Sequence, residues 1–175
     1  MTTNDPMTHA PANSGELDPA CRMIRHTLAT LAYRASKAVR GAPTDFASFT
    51  AGPTTRTPGQ ILAHMGDLMA WALTIAQQRI EWRVSPVRSW SEDVQRLFGG
   101  ISALDAYLAS GVSLDTGTLG QLFQGPIADA LTHTGQLTLI RRLAGAPIRA
   151  ENYQRALIDV GQTGLEQPPP QREFD

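Results

Sequence analysis

Asp129-Ala-Leu-Thr-His133-Thr-Gly-Gln136-Leu-Thr-Leu-Ile-Arg141-Arg142-Leu143 reads as one helix, and its reading decides the fold. Apolar residues return at helical spacing, and Gly145-Ala-Pro147 just beyond is a strong stop signal. Positions four apart share a helix face, so Asp129 and His133 project the same way, along with Gln136, Leu137 and Ile140. That face is otherwise apolar. Both polar groups are therefore expected to point inward, near the core.

Working upstream, the same periodicity recurs three times. Leu17 to Val39 carries Met23, Leu28, Leu31, Ala35 and Ala38 near helical spacing, and Gly41-Ala-Pro43 ends it. The next helix has a clear start: Thr57 as N-cap, Pro58 at the first helical position, and Gln60 to complete a capping box. It is expected to run through Ile61, Leu62, His64, Leu68, Trp71 and Ile75 to about Trp82, with Pro86 barring continuation. Ser89-Trp-Ser-Glu92 opens a third helix over Val94, Leu97, Phe98, Ile101, Leu104 and Leu108, with Gly111 as the C-terminal stop. The fourth is expected to begin at Gly125-Pro126 and run to Leu143, and a short fifth helix is expected around Glu151 to Ile158. No stretch shows convincing period-two alternation. The reading is all-α: a four-helix bundle with an extra short C-terminal helix and an extended Pro168-Pro169-Pro170 tail laid over the surface.

A chain of 175 residues most simply makes one domain, taken as residues 17–175 behind a loose tail over residues 1–16 that holds Pro6, Pro11 and Gly15. The net charge of −1 gives no global pull on nucleic acid or anionic membrane, so neither is expected as a partner. No long apolar run and no signal-peptide pattern is present, so the cytoplasm is the expected compartment. The single cysteine, Cys21, excludes an intramolecular disulfide framework and a cysteine-rich zinc site. Nucleotide-binding glycine loops and serine-centred nucleophile motifs are missing.

What remains is a histidine chemistry. His64 lies in the apolar stripe of the second helix and shares a face with Asp67, Leu68 and Trp71. If this face meets the one holding His133, then His64, Asp129 and His133 converge. Two imidazoles and a carboxylate suit a divalent ion such as Zn, Ni, Fe or Mn, and three protein ligands leave a coordination position open. Plainer readings stand beside this one. A lone histidine on an apolar face is more often a hydrogen-bonded core residue, and Asp129 near a helix start is favoured by the helix dipole alone. Asp67 is read either as a salt-bridged residue or as a base or orienting group, and Gln136 as a group that orients His133 or caps a core hydrogen bond. Trp71, Trp82, Trp90 and Tyr107 are read as core, His26 as surface or packing, and Arg141 and Arg142 as charges suiting a helix C-terminus.

His133-Thr-Gly135-Gln136-Leu137, followed by Arg142-Leu-Ala-Gly145-Ala-Pro147, resembles the last-helix signature of the DinB/YfiT-like superfamily of metalloenzymes. Thr57-Pro-Gly-Gln-Ile-Leu-Ala-His64 resembles the second-helix segment of the same family, and the likeness extends over roughly residues 17 to 160. The resemblance implies a four-helix bundle of unusual connectivity with a metal between its second and fourth helices. Its usual ligands are one histidine on the second helix and a His-x-x-x-His pair on the fourth. By position, His64 matches the first ligand and His133 the last, while Asp129 stands where the middle histidine is usual. The implied activity is metal-dependent, with activation of water or of a low-molecular-weight thiol for hydrolysis or S-transfer. The expected partner is thus a small-molecule substrate. The competing reading is a metal-free structural or small-molecule-binding bundle. A homodimer is expected from the low charge and long apolar faces.

Overall fold

The computed structural model describes residues 18–174. The expected loose tail over residues 1–16, with His9, lies outside the described residues. The described chain is mostly helical, in the order α1 (Pro19–Val39), α2 (Pro58–Ala76), α3 (Trp90–Ala109), α4 (Thr116–Leu122) and α5 (Ala128–Leu143). A π-helical turn, Phe123–Ile127, joins α4 to α5 into one rod. No helix among these residues is long and apolar enough to cross a membrane.

The helix starts follow from local chemistry. Asp18 accepts from the backbone N–H groups of Ala20 and Cys21, with Pro19 in the first turn. Thr57 with Gln60 and Ser89 with Glu92 form the two expected capping boxes. Gly41, Gly111 and Gly145 take the left-handed conformation just beyond α1, α3 and α5.

Three boundaries differ from expectation. α2 stops at Ala76 and not near Trp82, because Gln78 adopts φ +58° and Arg79 N–H turns back onto Thr74 O. The chain then forms an irregular strap over residues 79–89. The fourth helical stretch begins at Thr116, well before Gly125-Pro126, with the Asp115 carboxylate capping Thr118 N–H. Pro126 lies inside the rod because the wider π turn accommodates a residue without an N–H. The expected fifth helix is replaced by a two-residue strand, Ala150–Glu151, and a 3₁₀ turn, Tyr153–Arg155. Ala150 and Glu151 pair antiparallel with Phe174 and Glu173. Glu151 is drawn inward there to accept from Tyr33 Oη at 2.7 Å and Lys37 Nζ at 2.8 Å, which helical geometry would not allow while also pairing with the tail. Pro168, Pro169 and Pro170 line a cavity together with Tyr33, Ser36, Lys37 and Arg40 of α1.

α1 packs on both α3 and α5, and so does α2. The core between them is filled by Leu28, Leu31, Leu62, Met65, Leu97 and Ile101, all fully buried. The α2–α3 contact is the most extensive, and it depends on glycine. A Cβ on Gly100 would lie 2.7 Å from Met69 Cβ, so only glycine permits this approach. A Cβ on Gly66 would lie 2.5 Å from Arg96 Nε. Arg141 is not a solvated last-turn charge. It is buried, and donates to the carbonyls of Ala38, Arg40, Gly41 and Ala146 at 2.9–3.2 Å, closing the end of α1 onto α5.

Neighbouring glycines in α3 should therefore respond oppositely to alanine. Gly99 is exposed, with nothing within 4 Å of its would-be Cβ. Gly99→Ala should stabilise by up to about 1 kcal/mol through helix propensity. Gly100→Ala gains the same propensity but forces α2 and α3 apart, for a net loss of about 1–2 kcal/mol. Urea unfolding of the two variants checks this, and equal shifts of the same sign would refute the close-contact account.

Candidate metal centre

His64 comes from α2, two turns after the Thr57 capping box that sets the register of that helix. Asp129 and His133 come from α5, one turn apart on one face. The Asp129 carboxylate lies between the two imidazoles. Its Oδ2 is 3.3 Å from His64 Nε2, and its Oδ1 is 3.3 Å from His133 Nε2. The two rings meet edge to face with centroids 4.9 Å apart. One donor atom from each residue lies within 4.8 Å of the others. The structure thus brings together the three residues that the sequence spacing put forward, and as a group they could hold a metal ion.

Two features of the geometry bear on what this group is suited to. Charge-assisted N–H···O contacts close to about 2.7–2.9 Å, whereas both contacts here stand at 3.3 Å. Two ligand atoms each about 2.0–2.1 Å from a tetrahedral ion lie about 3.3–3.4 Å apart. The second feature is the tautomer. His133 Nδ1 is 2.8 Å from Gln136 Oε1, a pairing that suits the tautomer with its hydrogen on Nδ1. The lone pair of Nε2 then faces a carboxylate oxygen. Two acceptors directed at each other are relieved by a cation between them. The donor set and its orientation fit a divalent ion.

The group sits where the helical packing meets the surface, with His133 turned inward as expected and Asp129 less so. His133 is buried, but the Asp129 side chain is 45% exposed. Asp129 is also several turns downstream of the start of the α4–α5 rod, so a helix-start dipole does not account for it.

The other candidates separate cleanly. Gln136 reaches His133 Nδ1 and holds the ring in one tautomer. Asp67 does not reach the three donors. Its Oδ1 accepts from Arg96 at 2.9 Å and its Oδ2 from Ser85 N–H at 3.2 Å. Arg96 also donates to Ala63 O and lies 3.6 Å from Asp93. Asp67 therefore ties α2 to α3 and to the strap. Cys21 is buried against Leu108 O, and burial pushes its thiol pKa up, the opposite of nucleophile activation. His26 is exposed on α1.

Sequence reasoning missed the aromatic flank of the site. Trp82 was expected in the core of α2. It stands instead on the strap, 45% exposed, with its ring 5.8 Å from the His64 ring and 5.4 Å from Trp71. A signal was present: Ile80-Glu-Trp82-Arg-Val84-Ser alternates apolar and polar residues, the period of extended chain and not of helix.

Removing the Asp67 carboxylate leaves the Arg96 guanidinium short of a partner in a mostly buried setting. Asp67→Ala should lower the unfolding free energy by about 3 kcal/mol, measured by denaturant titration. A change under about 0.5 kcal/mol, the size of a solvated surface substitution, would contradict the buried ion pair.

Comparison with protein-family models, with curated proteins and with solved structures finds no match to this chain.

Proposed function

We propose that this chain is a metal-dependent enzyme of the DinB-like class, a four-helix bundle holding one divalent ion through His64, Asp129 and His133. The observation that carries the reading is the convergence of these donors, with the His133 lone pair turned onto the Asp129 carboxylate. The bundle arrangement is supported by the packing of α1 on α3 and α5 and of α2 on the same two helices. That neighbour order differs from a simple up-and-down bundle, in which consecutive helices adjoin. The His133-to-Pro147 and Thr57-to-His64 segments support the family assignment.

An ion at this site supplies Lewis acidity, lowering the pKa of a bound water or low-molecular-weight thiol for hydrolysis or S-transfer. The rest is the work of the chain. His64 and His133 present ring nitrogens from two different helices, so the site forms only when α2 and α5 are packed. Asp129 supplies the negative charge and, being half exposed, marks the side from which a small molecule reaches the donors. Gln136 keeps His133 Nε2 free of a hydrogen and directed at the site. A homodimer is supported by Leu139 and Leu143, one turn apart on α5 and each 58% exposed.

Metal content by mass spectrometry tests the reading. Untagged protein purified without chelator should carry about one equivalent of metal per chain, and His64→Ala and His133→Ala should each lose it. Gln136→Ala should retain the site with roughly 10–100-fold weaker affinity. Absence of metal after reconstitution with Zn, Ni, Mn and anaerobic Fe would sink the proposal and leave a structural or small-molecule-binding helical protein.

A further inference from the structure

We infer that Trp82 is a specificity-determining residue, whose ring receives a flat apolar group on a small ligand headed by metal-binding atoms. This rests on the metal-site reading above and names the substrate class of that site.

The first observation is placement. The Trp82 ring meets the His64 ring edge to face at 5.8 Å, while almost half of the side chain stays exposed. A tryptophan serving only to fill space would be turned into the core. This one is left 45% exposed beside His64. The second observation is rigidity. Trp71 backs Trp82 edge to face at 5.4 Å. The π turn that carries Gly125 packs against α2, the helix of Trp71.

The third observation concerns the strap that carries the ring. Glu81 N–H is held by Thr74 Oγ1 at 3.1 Å, and Ser85 N–H by Asp67 Oδ2 at 3.2 Å. The strap is thus anchored on both sides of Trp82, at one end by a buried carboxylate. Ile80 and Val84 flank Trp82 at the two-residue spacing of extended chain and are exposed as well. Between them Arg83 pairs with Glu81 at 2.9 Å. An apolar row beside a polar donor group suits a ligand with a chelating head and a flat hydrophobic body. Trp71 Nε1 is buried without an acceptor among the described residues, so the indole is held by packing alone.

The experiment uses the full chain loaded with Ni²⁺ and two probes with the same chelating head, acetohydroxamate and benzohydroxamate. Affinities are read by calorimetry on wild type, Trp82→Ala and Trp82→Phe, with metal content measured on each. Wild type should prefer the phenyl probe by about tenfold, the scale of one aromatic contact with its buried area. Trp82→Ala should abolish most of that preference without weakening acetohydroxamate, and Trp82→Phe should restore it in large part. A general loss of structure would weaken both probes together, so the ratio isolates the contact. An unchanged ratio in Trp82→Ala, in protein that still holds Ni²⁺, overturns this inference alone. Wild type that takes up no Ni²⁺ overturns it together with the metal-site reading.

Discussion

One guanidinium, that of Arg96, holds together the parts on which the site depends. It lies on α3, reaches over Gly66 of α2, and pairs with Asp67 while standing near Asp93. Each of those carboxylates also accepts a backbone N–H from the strap, Asp67 from Ser85 and Asp93 from Arg88. Two buried carboxylates around one cation would be costly if left unpaired, so the strap amides and Arg96 stabilise each other's positions. Gly66 gives the guanidinium its room, and Gly100 lets α3 approach closely enough to deliver it. The site is downstream of this arrangement. His64 is three residues before Asp67 on α2, and Trp82 three residues before Ser85 on the strap, so fixing Asp67 fixes both.

Much of the fold was legible because helix termini are written in local chemistry. Thr57 with Gln60, Ser89 with Glu92, and the glycines after α1, α3 and α5 act within a few residues, and the structure realises each of them. The shared face of Asp129 and His133 was legible for a similar reason, since four-residue spacing fixes a face, whereas their meeting with His64 is set by the packing of α2 on α5. The failures share a different character. α2 is ended by Gln78 in a left-handed conformation, a task for which glycine is the usual sign. Pro126 reads as a helix start and instead lies within a π turn, a register change that spacing rules do not contain. Glu151 has fair helical surroundings but is claimed by Tyr33 and Lys37, more than a hundred residues away. Gly66 and Gly100 sit inside helices, where glycine reads as a defect, and only the packed structure gives their reason.

Asp67 and Asp129 show how far local reading goes with chemistry. Both lie near a histidine on a helix, and the sequence reads Asp129 as a ligand and Asp67 as an orienting group, a base or a solvated or salt-bridged residue. Their fates are decided by what the opposite helix carries. Across from Asp67 stands Arg96, which consumes the carboxylate in an ion pair. Across from Asp129 stands a second imidazole with no cation of its own, which leaves the carboxylate shared between two nitrogens.

That sharing is hard to explain as a device for stability. The Asp129 side chain is 45% exposed, and a half-exposed contact of this kind contributes at most about 1 kcal/mol. Against that stand the burial of His133 and its Nδ1 contact with Gln136 Oε1, which leaves Nε2 facing the carboxylate. A site selected for stability would place the proton on Nε2 and let it donate to Asp129. The 2.8 Å contact of Nδ1 with Gln136 Oε1 suits the opposite arrangement. A divalent ion held by the three residues, as proposed, would turn the 3.3 Å contact into two coordinate bonds. On that proposal an anionic or easily deprotonated ligand would suit the ion, and the exposed Trp82 beside His64 would suit an apolar body. Charge and shape thus point to the same kind of molecule, and each is set by a residue that the helices present from a different direction.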